Sequence, residues 1–506
     1  MTRFYTLLSS THTGALLLTL LLGGALFGAC DFSVQNPGPT PDDQLSEDVS
    51  LPSVIAGMER ATAEALNFIA YEGGAVSLEI NAAGSIDNFG ISTAERRGDL
   101  NPGEGDFTWE LGQRARFTAE DGVERMQEVL GDEFNSSELS AQGLLWIGYT
   151  NRLLGANFCK AVIDGGEAQP NDVHFQRAED AFTEALEVAD RIGDTERANA
   201  ALAGRASVRV HLGNFEGAVS DAERVPEDFE YAIPYYGDAQ TQYNRIYWAN
   251  ANAPYRAHTV ADTYIGPDAT GEQDLSFSAV DGSDYYGNTG DSRVPYDNDP
   301  EEEFGDTGDI VWYPQRKYDA RTASVVLSSG DEMTLIRAEA LLRDDNRQQA
   351  MTLINNIRSE VPNDNTGEEG VVERSANSET EAWGHLKRER MLELWLEARR
   401  LGDRRRWIED DAVPNAHANQ DLPGRDYCWP ISQTELESNE NVSAQDNDLG
   451  ASYDYQCGRP ASGTRLPAAL QDVGVTPDGR TQRVGVPPGL VRFSTTRPFS
   501  PTLINS

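Results

Sequence analysis

The sequence predicts an all-α fold in which a scaffold of paired helices is interrupted by one loop-rich insertion. Three observations carry this expectation. Apolar residues recur with the period of a buried helix face through most of residues 51–225. A helix–turn–helix pattern of small residues occurs around 202–226 and again around 335–358, at a constant offset of 132. Between the copies, at about 230–330, the composition turns to Tyr, Trp, Gly, Asp and Asn, a mixture that breaks helices and favours loops with short strands.

A chain of 506 residues exceeds one ordinary core, so one large or two intimate domains are expected. Arg3 precedes an apolar run from Gly14 to Phe27 that is too short for a comfortable membrane span and closes on Gly28-Ala29-Cys30. This layout predicts a secretory signal peptide over residues 1–29. Residues 31–46 are rich in Pro, Asp and Gln and read as a flexible tether, so 30–48 is expected to join the leader to the folded body. No later stretch approaches the roughly 20 apolar residues of a spanning helix.

The 41 basic against 83 acidic residues leave a net charge of −42, with lysine only at Lys160, Lys317 and Lys387. Such a surface argues against nucleic acid or anionic lipid as a partner, because both require clustered positive charge. It reads as the solvation of a secreted protein in a salty habitat, in preference to a cation-binding surface. The histidines are scattered and no CxxC occurs, so no metal site is expected. A disulfide is expected between Cys428 and Cys457 in a loop-rich region, and a buried free thiol at Cys159 beside Phe158 and Val162.

Helices are expected at 51–70, 109–131, 138–163, 172–192, 195–212 and 214–225. In the unit at 202–226, Ala203 and Ala206 precede the turn Leu212-Gly213-Asn214, and Ala218 and Ala222 follow it. Small residues allow close helix pairing, and the Gly/Asn turn reverses the chain, as in a tetratricopeptide repeat. In the second copy Ala338 matches Ala206, Leu342 matches Val210, Ala350 matches Ala218 and Ile357 matches Val225. One such pair cannot bury its apolar face alone, so the pairs must stack.

Residues 383–407 read as a single amphipathic helix, with Met391, Leu394, Trp395 and Ala398 at i, i+3, i+4 and i+7 and Leu392 and Leu396 widening the stripe. Glu389, Glu393 and Glu397 form an i, i+4 ladder of like charges that must be compensated. Arg390, Arg399, Arg400 and Arg406 are the nearest candidates, with loop backbone N–H groups as the other.

The pattern Glu389-Arg390, Glu393, Glu397-Ala398-x-Arg400-x-x-Asp403-x-x-Arg406-Trp407 resembles the C-terminal signature of the SusD/RagB family of outer-membrane nutrient-binding lipoproteins. Ala398 stands where glycine is usual and Arg404 where leucine is usual, and both suit a helix. Leu335-Ile336-Arg337-Ala338-Glu339-Ala340, Ile354-Asn355-Asn356-Ile357-Arg358 and Pro430-Ile431-Ser432-Gln433-Thr434-Glu435-Leu436 also resemble that family, as does Asn36-Pro37-Gly38-Pro39. Cys30 resembles a lipobox cysteine, with Phe27 where leucine is usual. The resemblance runs to about residue 442, and the Gly-, Pro- and Arg-rich stretch 443–506 is expected to be irregular.

The resemblance implies lipidation at Cys30, an outer-membrane location facing the cell surface, and capture of an oligosaccharide or similar oligomer. It also implies delivery to a SusC-type TonB-dependent transporter, without catalysis and without a cofactor. Family members build their ligand platform from aromatic residues in inserted loops. Aromatic faces suit ligands that alternate apolar and hydroxyl surfaces, while Asp, Asn and Arg bond the hydroxyls. Tyr285, Tyr286 and Tyr296 are the leading candidates because they sit among Gly, Asp, Ser and Asn; Phe89 lies in a similar loop, whereas Trp248 and Trp312 neighbour Ile246 and Ile310 and read as core. The acidic runs 297–303 and 363–365 lack the spacing of a calcium loop.

Three other readings remain open: a peptide-binding relative on the same fold, a helical-repeat scaffold that only organises surface proteins, and a glycoside hydrolase built on the glutamate ladder. Against the last, there is no G-x-S-x-G, H-E-x-x-H or phosphate loop.

Overall fold

The computed structural model describes residues 45, 47–83, 91–251, 256–267, 284–297, 311–414, 422 and 424–447. The leader, Cys30, Phe89, Cys457 and most of the stretch after 443 lie outside them. Ten helices of eight or more residues dominate the described body, and the only strands are short pairs.

The first layer is α1 (Leu51–Val76), α2 (Asp106–Leu130) and α3 (Glu138–Asn157). Gly122 of α2 lies against Met58 near the start of α1, and Phe107 meets Phe68 near its end, so the two helices run antiparallel. α4 (Asp172–Ile192) and α5 (Thr195–His211) follow, each ending where the sequence predicts to within a residue. The Phe182 ring of α4 is wedged between Gly148 of α3 and Gly204 of α5, and a Cβ at either glycine would collide with it.

α5 and α6 (Phe215–Ala222) form the first predicted helix pair. Gly213 takes φ +72° in their turn, a left-handed conformation without cost for glycine, and Asn214 Oδ1 caps α6 by accepting from Gly217 N at 3.0 Å. The second pair is α7 (Gly330–Arg343) and α8 (Arg347–Glu360). α7 packs on both α5 and α6, so the two copies stack and bury the faces that neither could bury alone. The insertion between them leaves and returns at one place, because β1 (Glu230–Ile233) pairs antiparallel with β2 (Val325–Ser329).

Two expectations are corrected. The helix predicted over 383–407 is broken: α9 spans Glu379–Glu393, α10 spans Arg400–Glu409, and between them Leu396 and Ala398 take φ +61° and +59°. Tertiary hydrogen bonds outweigh helical propensity at this turn. Trp395 Nε1 donates to Glu79 O and Leu396 N to Glu79 Oε1, each at 3.0 Å, and Asn157 Nδ2 donates to Ala398 O at 3.0 Å. Ala398 therefore fills a left-handed position that favours glycine, whereas Arg404 does lie in a helix.

The disulfide joins Cys159 to Cys428, with Cα atoms 5.1 Å apart, so the expected Cys428–Cys457 bridge and free Cys159 are both overturned. α3 stops at Asn157, short of the predicted 163, and the chain then runs beside Cys428–Trp429. Cys159 N donates to Trp429 O and Trp429 N to Asn157 O, both at 2.8 Å, which brings the two thiols into register.

Candidate functional site

The insertion brings three tyrosines into one cluster. Tyr286 and Tyr296 have ring centroids 5.1 Å apart, and Tyr296 and Tyr313 5.7 Å apart, with all three rings half-buried. Asp284 opens the short helix Tyr285–Thr289 by accepting from Gly287 N at 2.9 Å, and the same carboxylate accepts from Tyr296 Oη at 2.8 Å. Tyr286 Oη donates to Asp364 at 2.9 Å. Both hydroxyls are thereby fixed, so the cluster offers oriented ring surfaces flanked by carboxylates. Burial first, then the bonds to these carboxylates, pushes the Tyr286 hydroxyl up to about 12 and Tyr296 higher still.

Tyr285 does not join this surface. It is only 2 % exposed, and its hydroxyl donates to Asp291 at 2.8 Å while accepting from Arg358 at 3.3 Å. One residue along a helical turn swings a side chain by about 100°, which sends Tyr285 inward and Tyr286 outward. The ligand-contact expectation at Tyr285 is corrected accordingly, and that at Phe89 falls outside the described residues. Trp312 is buried as read, whereas Trp248 is half-buried against Tyr243.

Tyr285 belongs to a buried ionic joint that fastens the insertion to the scaffold. Arg293 donates to Asp291 at 2.7 Å, to Glu389 at 2.6 Å and to Glu393 at 3.4 Å. Arg358 donates to the other oxygen of Glu389 at 2.9 Å. Burial alone would raise the Asp291 and Glu389 carboxyls, but the guanidinium groups beside them hold both below the usual range. Lys317, also from the insertion, donates to Trp395 O at 2.8 Å and to Glu397 at 2.7 Å. There burial outweighs the lysine and pushes Glu397 up to about 7.

The four arginines expected to compensate the ladder are engaged elsewhere, and only Arg399 also acts on it, as a weaker charge on Glu397. Arg390 bonds Asp403 at 2.8 Å, Arg399 bonds Glu332, Arg406 bonds Glu339 at 2.8 Å, and Arg400 lies over the Tyr264 ring at 4.5 Å. Sequence reasoning missed Glu332 and Glu339, yet a signal existed. They lie seven residues apart on α7, the spacing that Arg399 and Arg406 repeat opposite them. Beside the joint a polar hollow of about 720 Å³ is lined by Arg293, Asp331, Glu360 and Glu393.

A second concavity was not anticipated. A cleft of about 660 Å³ runs along the N-terminal half of α2, and Phe107 and Phe117, 49 % and 58 % exposed, line it. Among the described residues no cluster of His, Cys, Asp or Glu could hold a metal ion, and no helix is long and apolar enough to cross a membrane.

Residues 331–449 match the model of the SusD family. Crystal structures with a similar fold include a SusD superfamily protein from Bacteroides vulgatus ATCC 8482, 14 % identical, with 78 % of this chain and 98 % of that one covered at a TM-score of 0.53. A SusD-like carbohydrate binding protein from the same organism is 14 % identical, covering 80 % and 99 % at 0.53. A SusD-like protein from Bacteroides fragilis NCTC 9343 is 12 % identical, covering 80 % and 98 % at 0.55. No curated protein matches the sequence.

Proposed function

We propose that the chain is a SusD/RagB-family lipoprotein of the outer-membrane surface that captures an oligosaccharide and passes it to a SusC-type TonB-dependent transporter, a reading supported by the match of residues 331–449 to the SusD family model. Cys30 is the point of lipid attachment in this reading. The observation that carries it is the half-buried surface of Tyr286, Tyr296 and Tyr313, in which Asp364 and Asp284 set the first two rings through their hydroxyls and Tyr313 packs on Tyr296. Rings held in this way cover the C–H faces of a sugar at little entropic cost, since stacking needs no further ordering of the side chains. The carbohydrate-binding description of the Bacteroides vulgatus relative supports the same ligand class.

Binding without catalysis is supported at Glu389, while Glu397, though pushed up to about 7, is buried and bonded to Lys317. Glu389 is 1 % exposed and bonded on both oxygens to guanidinium groups, and Glu393 faces Arg293. Glu389, held below the usual range by those guanidinium groups, is unable to serve as the raised-pKa acid of a hydrolase.

The test is calorimetric titration of the protein with neutral oligosaccharides, alongside the double variant Tyr286→Ala/Tyr296→Ala. Loss of two stacked rings is expected to weaken binding by about tenfold or more. Unchanged affinity in the double variant, or binding of peptides only, would sink the reading. For the transport step, a detergent pull-down from the native membrane is expected to bring down a large plugged β-barrel, and recovery of the lipoprotein alone would count against delivery.

A further inference from the structure

We propose that the α2 cleft is a second carbohydrate-binding site, separate from the tyrosine cluster and selective for neutral over acidic glycan chains. This rests on the glycan-capture reading and adds a site and a charge preference to it. Phe107 and Phe117 lie ten residues apart on one helix, which places them about 15 Å apart along the cleft. A single sugar ring cannot span that distance, so the geometry calls for a chain. Phe107 is braced edge-on by Phe68 at 4.7 Å and still leaves half its surface bare.

Between the rings the cleft presents hydrogen-bonding groups. Gln113 Oε1 accepts from Arg116 Nε at 3.0 Å, which fixes the amide, and its Nε2 is buried without a partner among the described residues. Arg116 is itself buried and tied to Glu120 at 2.5 Å and Asp164 at 2.7 Å, so the orphan donor is held in place. Glu110 also lines the cleft, with a largely exposed side chain, and Asp164 and Thr434 supply the far wall. A hydroxylated chain donates to the exposed carboxylates of Glu110 and Asp164, while its C–H faces cover the phenylalanines. An apolar protein segment would cover the rings but withdraw the exposed Glu110 and Asp164 carboxylates from water without offering them donors.

The carboxylates set the selectivity. Sugar hydroxyls donate to them, whereas uronic acids or sulfates would bring like charge against Glu110 and Asp164 on a chain that already carries −42. The lone basic group of the lining that is not buried, Arg114, is shared between Glu64 at 3.0 Å and Glu110 at 3.7 Å, so two carboxylates already claim it.

The experiment places 4-fluorophenylalanine at position 117 and follows its fluorine resonance during titration with maltoheptaose, laminarihexaose, xylohexaose and hexagalacturonate, with calorimetry in parallel. At least one neutral probe is expected to shift the resonance saturably. Phe107→Ala in the same labelled protein should weaken that response about tenfold, and Tyr286→Ala/Tyr296→Ala should leave it intact. If a neutral sugar binds by calorimetry while the resonance stays fixed, the second site is refuted and the tyrosine reading survives. If no neutral probe binds in either assay, both fall. An equal response to hexagalacturonate overturns the charge preference.

Discussion

The scaffold and the joint that carries the insertion are held together by opposite means. Where α3, α4 and α5 meet, the fit is one of size: the Phe182 ring is seated between two glycines, and no charge is involved. Where the insertion meets α8, α9 and the turn after α9, charge adds to the fit: Arg293, Arg358 and Lys317 neutralise carboxylates that are almost wholly removed from water. The difference teaches why a tyrosine surface built on loops can be oriented. The insertion also buries apolar side chains such as Ile246, Val260, Ile265 and Val294, but such contacts are non-directional, so a few buried, multiply bonded ions fix its position. Buried ion pairs are poor sources of net stability but strong sources of unique geometry when every lone pair is met.

The comparison breaks first at Arg293. Arg293→Ala leaves Asp291, Glu389 and Glu393 facing one another with a single guanidinium, and a loss of about 3–5 kcal/mol is expected in urea unfolding. The same variant should weaken glycan binding, since it frees the segment that carries Tyr286 and Tyr296. Unaltered stability would mean that the joint is solvated. On the scaffold side, Gly204→Ala should cost about 1–3 kcal/mol by forcing Phe182 aside. Gly57, in α1 with open space where its Cβ would stand, is the control. There Gly57→Ala should stabilise by about 0.5–1 kcal/mol through helix propensity alone. Equal signs at the two glycines would refute the steric account.

The two regions also differ in how far they could be read in advance. The limits of α4 and α5 follow from periodicity and from Asp194, Gly193 and Gly213, all local signals. The insertion was legible as a change of composition, and its aromatic character as a count of tyrosines. Which tyrosine faces outward was not, because the answer at Tyr285 and Tyr286 depends on a five-residue helical turn among loops. The break after Glu393 depends on Glu79, which lies 317 residues before Leu396, and no local pattern reports such a bond. Cys159 was misread for a related reason: its partner strand, at Cys428–Trp429, is set by the tertiary fold. The bare rings of Phe107 and Phe117 were discernible only as apolar residues on a helix surface, a common feature with no specificity of its own.

The joint should also respond to pH. Glu397, with an ordinary value of 4.5, is pushed up to about 7 chiefly by burial, and Asp331, ordinarily 3.8, also to about 7 by burial and the neighbouring Glu393. A carboxyl whose folded value is raised binds its proton more tightly in the folded state, so its contribution to stability falls as pH rises from about 4.5 toward 7 and is constant above. Glu332, Glu339 and Glu389 are held low by arginines despite burial, so their contribution is lost only as pH falls below 4.5. Glu397→Gln keeps an oxygen for Lys317 Nζ and removes the titration. It is expected to flatten the decline between pH 5 and 7 without altering the acid limb; an unchanged slope would show that Glu397 is ionised throughout.

The smallest effect sharpens the comparison at the turn where scaffold and joint touch. Ala398 sits at φ +59°, and a left-handed conformation costs an L-residue roughly 1–2 kcal/mol. Glycine takes it freely but gives up more backbone entropy on folding and here loses a buried methyl, so the two terms partly cancel. Ala398→Gly is therefore expected to stabilise by about 0.5–1 kcal/mol, seen as a small rise in the urea midpoint with an unchanged slope. Leu396, at φ +61° in the same turn, separates strain from packing. Its side chain is fully buried, and Leu396→Gly should destabilise by about 2 kcal/mol or more because the cavity outweighs the relief. Gain at one position and loss at the other would identify the turn as a strained segment kept in place by Glu79, Asn157 and Lys317. Destabilisation at both would instead mean that the turn relaxes to helix when loosened, with Ala398 acting as a helix former.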